Sequence, residues 1–168
     1  GKTVKGEAAD LLAKAKATSP DQAKLLRELA EGLPVGDALR GKAVFRGPKA
    51  GCSTCHSMAY HGGDFGPDLT RIGQVRKKMD LLEAIVFPSA SFVRSYETMQ
   101  VSTGDGGVLA GIVRDQDAGQ VTLALSPEKS VRVERKDIRN MKQLHVSMMP
   151  AGMNTILTQQ QLADLTAY

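Results

Sequence analysis

Tryptophan is absent from the 168-residue chain, and four phenylalanines and three tyrosines are its only phenyl and phenol rings. Aromatic residues supply much of the buried area in most cores, so this core needs many aliphatic contacts or a large flat body from outside the chain. No stretch of 18 consecutive apolar residues occurs, so no membrane span is expected in this chain. Residues 1–30 hold no apolar run of the kind found in a signal peptide. Stacking platforms for single-stranded nucleic acid are also missing. The 22 Lys and Arg are interspersed with 18 Asp and Glu, so a net charge of +4 defines no nucleic-acid face. Cysteine is limited to two residues in one short run, which leaves none for a structural disulfide and does not fix the redox compartment. The chain opens on Gly1 rather than on methionine, as expected of a processed chain or a segment of a larger protein.

What is present suits one ordinary core with a smaller satellite: 42% of residues are hydrophobic over a single-domain length. The most informative stretch is Cys52-Ser53-Thr54-Cys55-His56. Two thiols three positions apart match the two vinyl groups of one haem, and a histidine directly after the second thiol sits where it can ligate the iron; this is the c-type haem attachment pattern. A zinc site would need four nitrogen or sulfur ligands, and the chain holds two cysteines and three histidines, so His61 and His145 would have to come from unrelated places. A thioredoxin-like pair would want a βαβ context, whereas glycines and a basic helix surround Cys52. A haem would also provide the flat apolar body that the ring-poor composition lacks.

Helical spacing covers the first part of the chain. Ala8, Leu11, Leu12 and Ala15 mark a helix over residues 7–17. Ser19, Pro20 and Gln22 open a second with a capping box, Leu25, Leu26 and Leu29 give it an apolar stripe, and Gly32 and Pro34 close it. The two form a helical hairpin extension over 1–33. A third helix over residues 37–46 carries Gly41, which predicts close approach of another element, with Tyr168 of the last helix as the neighbour it makes room for. After His56 comes a glycine-rich loop. There Pro67 is the candidate to bring a backbone carbonyl to the second nitrogen of the histidine and fix its tautomer. The basic residues Arg71, Arg76, Lys77 and Lys78 form a solvated face or a docking patch for an acidic redox partner. Residues 80–87 read as a helix with Asp80 and Glu83 as its capping pair.

From Tyr96 the pattern changes to alternation with recurring turns. It predicts strands over 96–103 and 108–114, around Val121, Leu123 and Leu125, around Val131 and Val133, and from Ile138 to Met141. Five such strands predict a small antiparallel sheet or barrel, in an order resembling Sm-like or SH3-like barrels. Met149, directly before Pro150, stands where a sixth iron ligand would; Met148 is the less favoured alternative. A last helix starts after Thr158, with Gln161 completing its capping box.

Taken together, Gly41–Phe45, the Cys52–His56 run, Gly66–Thr70, Leu81–Ala90, Ser95–Thr98, Ser147–Met153 and Leu162–Tyr168 resemble the planctomycete-type haem-binding domain, a class I c-type cytochrome with extra sequence between its third helix and its methionine loop. The resemblance spans about residues 36–168. It implies an α+β chain: a mainly α-helical class I cytochrome c fold over 34–168, interrupted at about 95–145 by a β-rich insertion. It also implies one covalent haem c on Cys52 and Cys55, His56 and Met149 as axial ligands of the iron, and Phe45, Pro67 and Leu69 around the ring. The implied function is single-electron transfer without catalysis, from a fused or partner dehydrogenase to another carrier, in a periplasmic or otherwise exported setting. Two rival functions carry distinct signatures. A haem-based sensor or peroxidase-like enzyme would have a displaceable methionine and bind carbon monoxide readily when reduced. A partner-binding module would use the β insertion, with the haem largely structural.

Overall fold

The computed structural model describes residues 19–168, which fall into two compact units: Phe92–Met148, and residues 19–91 together with Met149–Tyr168. The helix expected over 7–17 lies outside the described residues. Of the described residues 37% are helical and 26% are in strands, so the chain is mixed α+β rather than mainly helical. A five-stranded sheet accounts for most of the strand content.

The helical unit starts with α1 (Pro20–Gly32), whose capping box is present: Ser19 Oγ accepts from the Gln22 N–H at 3.2 Å, and the Gln22 side chain accepts from the Ser19 N–H at 2.9 Å. α2 (Ala38–Arg46) begins at Asp37, which accepts from the Arg40 N–H at 2.8 Å. A single helical turn, α3 (Cys52–Cys55), leads to a two-residue hairpin of β1 (Ser57–Met58) and β2 (His61–Gly62). α4 (Ile72–Val75) and α5 (Lys78–Val86) follow. After the sheet unit the chain returns as α6 (Met153–Ile156) and α7 (Gln159–Ala167), the latter opened by the Thr158–Gln161 capping box. α5 starts two residues earlier than its sequence indicated. Asp80 therefore sits inside the first turn, where its carboxylate accepts from the Lys77 N–H at 3.0 Å, and Glu83 lies too far along to cap.

Leu26 packs with Leu82 and Val86, bordered by Leu29, Leu33 and Phe87, so α1 contributes to the core of this unit. Met153, Leu157 and Leu162 form a second cluster with Val44, Ile85 and Leu165. α2 and α7 approach closely at Gly41: a Cβ there would overlap the backbone carbonyl of Asp164 and lie 2.8 Å from Tyr168 Cβ. Beside it Phe45 and Tyr168 stack tilted, centroids 5.7 Å apart.

The sheet unit contains β3 (Thr98–Thr103), β4 (Val108–Gln116), β5 (Gln120–Ser126), β6 (Lys129–Glu134) and β7 (Ile138–Leu144), the last entered through a 3₁₀ turn at Arg135–Asp137. All pairings are antiparallel and the order is β6-β5-β4-β3-β7. Alternation sends Val101, Val121, Leu123 and Val133 inward, where they pack with Met99, Leu109, Ile138 and Met141. Leu123 is 0% exposed, so Leu123→Ala should cost roughly 2–5 kcal/mol, read as a lower denaturant midpoint. Tyr96 stands outside β3: Ser95 adopts φ 72°, the Tyr96 N–H turns back to the Val93 carbonyl, and Arg114 lies over the Tyr96 ring at 5.7 Å. No described helix is long and apolar enough to cross a membrane.

Candidate functional site

Three residues, one turn and one loop make the site. Gly51, left-handed at φ 63°, turns the chain into α3, and this turn puts Cys52 and Cys55 one helical turn apart. Both are half-buried free thiols. Burial pushes both thiols up, so each stays protonated near neutral pH until it reacts. His56 closes the turn, its N–H donating to the Cys52 carbonyl at 2.9 Å.

The loop that follows folds back on this turn. The Gly63 N–H donates to the Ser53 carbonyl at 2.9 Å and the Gly66 N–H to the Cys55 carbonyl at 2.7 Å. This brings the Pro67 carbonyl to 2.8 Å from His56 Nδ1. A carbonyl only accepts, so Nδ1 carries the proton and Nε2 keeps its lone pair. Burial lowers the histidine's affinity for a second proton, and the Pro67 carbonyl opposes that only in part. The result is a neutral imidazole with one nitrogen tied to the backbone and the other available as a ligand. Gly66 lies against the ring, since a Cβ there would stand 2.6 Å from Nδ1 and 2.9 Å from Nε2.

The other expected residues are distributed as follows. Leu69 is half-buried, and its N–H donates to the Ser57 carbonyl at 2.8 Å, which locks the loop to β1. Phe45 is buried at the α2–α7 contact. Met148 and Met149 are both half-buried; Met149 belongs to the same compact unit as His56, and Met148 belongs to the sheet unit. Arg71, Arg76, Lys77 and Lys78 are all exposed, as a solvated basic face requires. Among the described residues no group of three or more His, Cys, Asp and Glu gathers as a metal cage. A c-type haem requires two thiols and one imidazole nitrogen here, and the donor set fits that demand.

Sequence reasoning missed three features. The first is Phe65, buried inside the loop. The second is a buried carboxylate: Asp164 is 2% exposed on α7, accepts from the Asp37 N–H at 2.8 Å and from Gln160 Nε2 at 2.9 Å, and pairs in two-pronged fashion with Arg40 at 2.8 Å on both oxygens. The Arg40 guanidinium holds that carboxyl well below the usual carboxylate range. A signal existed, because Asp164 lies four residues before Tyr168 and so shares the helix face that meets α2. The third is the turn of the β1–β2 hairpin. Ser57 pairs with Gly62 and Met58 with His61, leaving Ala59 and Tyr60 as a two-residue tip with φ of 50° and 66°. Each non-glycine residue in that region costs roughly 1–2 kcal/mol, so the surrounding hydrogen bonds must hold the tip in place. Compared with known proteins, the chain matches no family model and no curated sequence.

Proposed function

We propose that the chain is a mono-haem c-type cytochrome domain that carries single electrons, with a helical unit of class I cytochrome kind and the five-stranded sheet as its insertion. The observation that carries this reading is the imidazole that directly follows Cys52-Ser53-Thr54-Cys55, with Nδ1 held by the Pro67 carbonyl and Nε2 left to bind a metal. A redox C-x-x-C pair works through a thiol of lowered pKa, whereas burial pushes both thiols up here.

In this reading Cys52 and Cys55 would hold the haem through thioether bonds, and His56 Nε2 and the Met149 sulfur would bind its iron. Bound there, the haem supplies an iron that exchanges one electron, at a potential raised by methionine relative to a second histidine. The chain's own residues do the rest. Pro67 fixes the His56 tautomer and raises its basicity, Gly66 leaves the space the ring occupies, and Leu69 fixes the loop against β1. An iron held by both His56 and Met149 would pass electrons rather than bind substrate, which is why this reading takes the chain as a carrier. The donor in this reading is a fused or partner dehydrogenase, and the acceptor is another carrier in a periplasmic or exported setting.

Oxidised and reduced optical spectra of protein matured with haem-attachment machinery test the ligand set. Met149→Ala should abolish the weak sulfur-to-iron band of the oxidised form, and Met148→Ala should leave it intact. Rapid, complete carbon monoxide binding by the reduced wild type near neutral pH would instead favour a sensor or peroxidase-like enzyme.

A further inference from the structure

The contact between His56 Nδ1 and the Pro67 carbonyl is one rung of a longer ladder. His56 meets Pro67, Ser57 Oγ donates to Asp68 Oδ2 at 2.6 Å, and the Ala59 N–H donates to Thr70 Oγ1 at 2.8 Å, each joining residues eleven apart. Residues 56–59 and 67–70 therefore run side by side in one direction and hold each other through side chains. A backbone bond, from the Leu69 N–H to the Ser57 carbonyl at 2.8 Å, lies among these rungs. Asp68 is tied twice, because its other oxygen accepts from the Thr70 N–H at 2.8 Å, an Asx turn that fixes the side chain against its own backbone. Hydrogen bonds from Ser57 and then from Thr70 hold its carboxyl below the usual carboxylate range, so both oxygens accept near neutral pH.

The rungs sit where Pro67 cannot hold itself. Proline has no N–H to donate and its ring fixes φ, so the direction of its carbonyl depends on rotation of the peptide between Pro67 and Asp68. With the Asp68 carboxylate tied to Ser57 on one side and to Thr70 on the other, turning that peptide strains both bonds. Asp68 and Thr70 are exposed, so each bond adds little to global stability. Their effect is local. Ser57 directly follows His56 and Asp68 directly follows Pro67, so the ladder ties both partners of the imidazole contact.

We propose that Asp68, bridging Ser57 and Thr70, is a positioning residue that aims the Pro67 carbonyl at His56 Nδ1. Resting on the electron-carrier reading, this clasp tunes the site: a firmer Nδ1 contact makes the imidazole a stronger donor, favours Fe(III) and lowers the potential. The negative charge of Asp68 acts in the same direction through space, so charge and clasp have to be separated by substitution.

Asp68→Asn and Asp68→Ala separate them, since both remove the charge. An asparagine keeps both bonds, its oxygen accepting from the Thr70 N–H and its amide donating to a Ser57 hydroxyl turned to accept, whereas alanine keeps neither. The readout is solvent exchange of the His56 Nδ1 proton, followed by NMR in the full chain co-expressed with haem-attachment machinery and kept reduced. Exchange should be about tenfold faster in Asp68→Ala and within about twofold of wild type in Asp68→Asn, with Ser57→Ala, which loses one rung, in between. The potential of Asp68→Ala should be more positive than that of Asp68→Asn. The amides of buried Leu82 and Leu162 should exchange as in the wild type in all three variants. Equal Nδ1 exchange in Asp68→Ala and Asp68→Asn, or an equal acceleration at Leu82 and Leu162, would overturn the proposal. Should Asp68→Ala fail to fold, a wild-type exchange rate in Ser57→Ala would overturn it as well. A colourless chain that keeps the contrast between alanine and asparagine would remove the electron-carrier reading and leave the clasp in place. A coloured chain without that contrast would do the reverse.

Discussion

Gly66→Ala should dislodge the His56 imidazole and disable the site while leaving the sheet unit folded. The added methyl would overlap Cε1 and crowd Nδ1 at 2.6 Å and Nε2 at 2.9 Å, distances that no real Cβ contact allows. One of two partners must yield. The loop backbone is pinned on either side, by the Gly66 N–H on the Cys55 carbonyl and the Leu69 N–H on the Ser57 carbonyl, whereas the imidazole turns about two bonds. The ring therefore gives way, and with it goes the 2.8 Å contact to Pro67. Overpacking of this kind costs roughly 1–3 kcal/mol, and the half-buried ring then lacks its carbonyl partner. Two measurements read the outcome. The Nδ1–H resonance of His56 should move or vanish, and the matured variant should lose the optical signature of histidine ligation. Preserved His56 resonances would contradict this geometry.

Asp164→Ala should produce the second large effect, a fall of about 10 °C in the unfolding midpoint of the helical unit at neutral pH. The substitution removes the acceptor of the Asp37 N–H, of Gln160 Nε2 and of both Arg40 nitrogens at once, at the contact of α2 with α7. The same carboxylate gives the fold an acid limit. Its hydrogen bond with Arg40 depresses the folded-state pKa below the unfolded value, and burial opposes this without reversing it. A depressed carboxyl contributes stability that is fully present above its unfolded pKa, about 4, and is lost as the pH falls through the lower folded value. The gap between wild type and Asp164→Asn should therefore be constant from pH 5 to 7, and should close progressively below about pH 4. A gap independent of pH down to strong acid would show that the pair does not set the acid limit.

The parts of the fold that were legible in the sequence rest on local rules. Ser19 with Gln22 and Thr158 with Gln161 announce helix starts because the capping groups are three residues apart. The alternation of Val121, Leu123, Val131 and Val133 announces strands because one face of the sheet is buried and the other is not. Gly41 could be tied to Tyr168 because both the space and the ring to fill it were visible in the residue types. The Pro67–His56 contact followed from chemistry: a ligating imidazole needs a partner for its other nitrogen.

What stayed hidden depends on tertiary pairing or on turns without their usual residues. Arg40 and Asp164 are 124 residues apart, and neither carries a local mark of the other. Ala59-Tyr60 lacks the Asn-Gly signature, so the hairpin after His56 could not be read from its turn. Tyr96 fits a strand by residue type, but Ser95 at φ 72° breaks the extended backbone before β3 begins. The α+β class was legible, but the mainly helical share was not, because the sheet unit, Phe92–Met148, brings five strands and raises the strand content to 26% against 37% helix.

The central claim is that Cys52 and Cys55 carry a covalent haem with His56 beneath its iron. The most direct test is acid–organic extraction of the chain after co-expression with haem-attachment machinery, followed by mass and absorption measurements on the extracted polypeptide. The account predicts that colour and the added mass of one haem stay with the wild-type chain, and that both are lost in the Cys52→Ser, Cys55→Ser double variant. A wild-type chain that comes through maturation and extraction colourless and at its unmodified mass would contradict it.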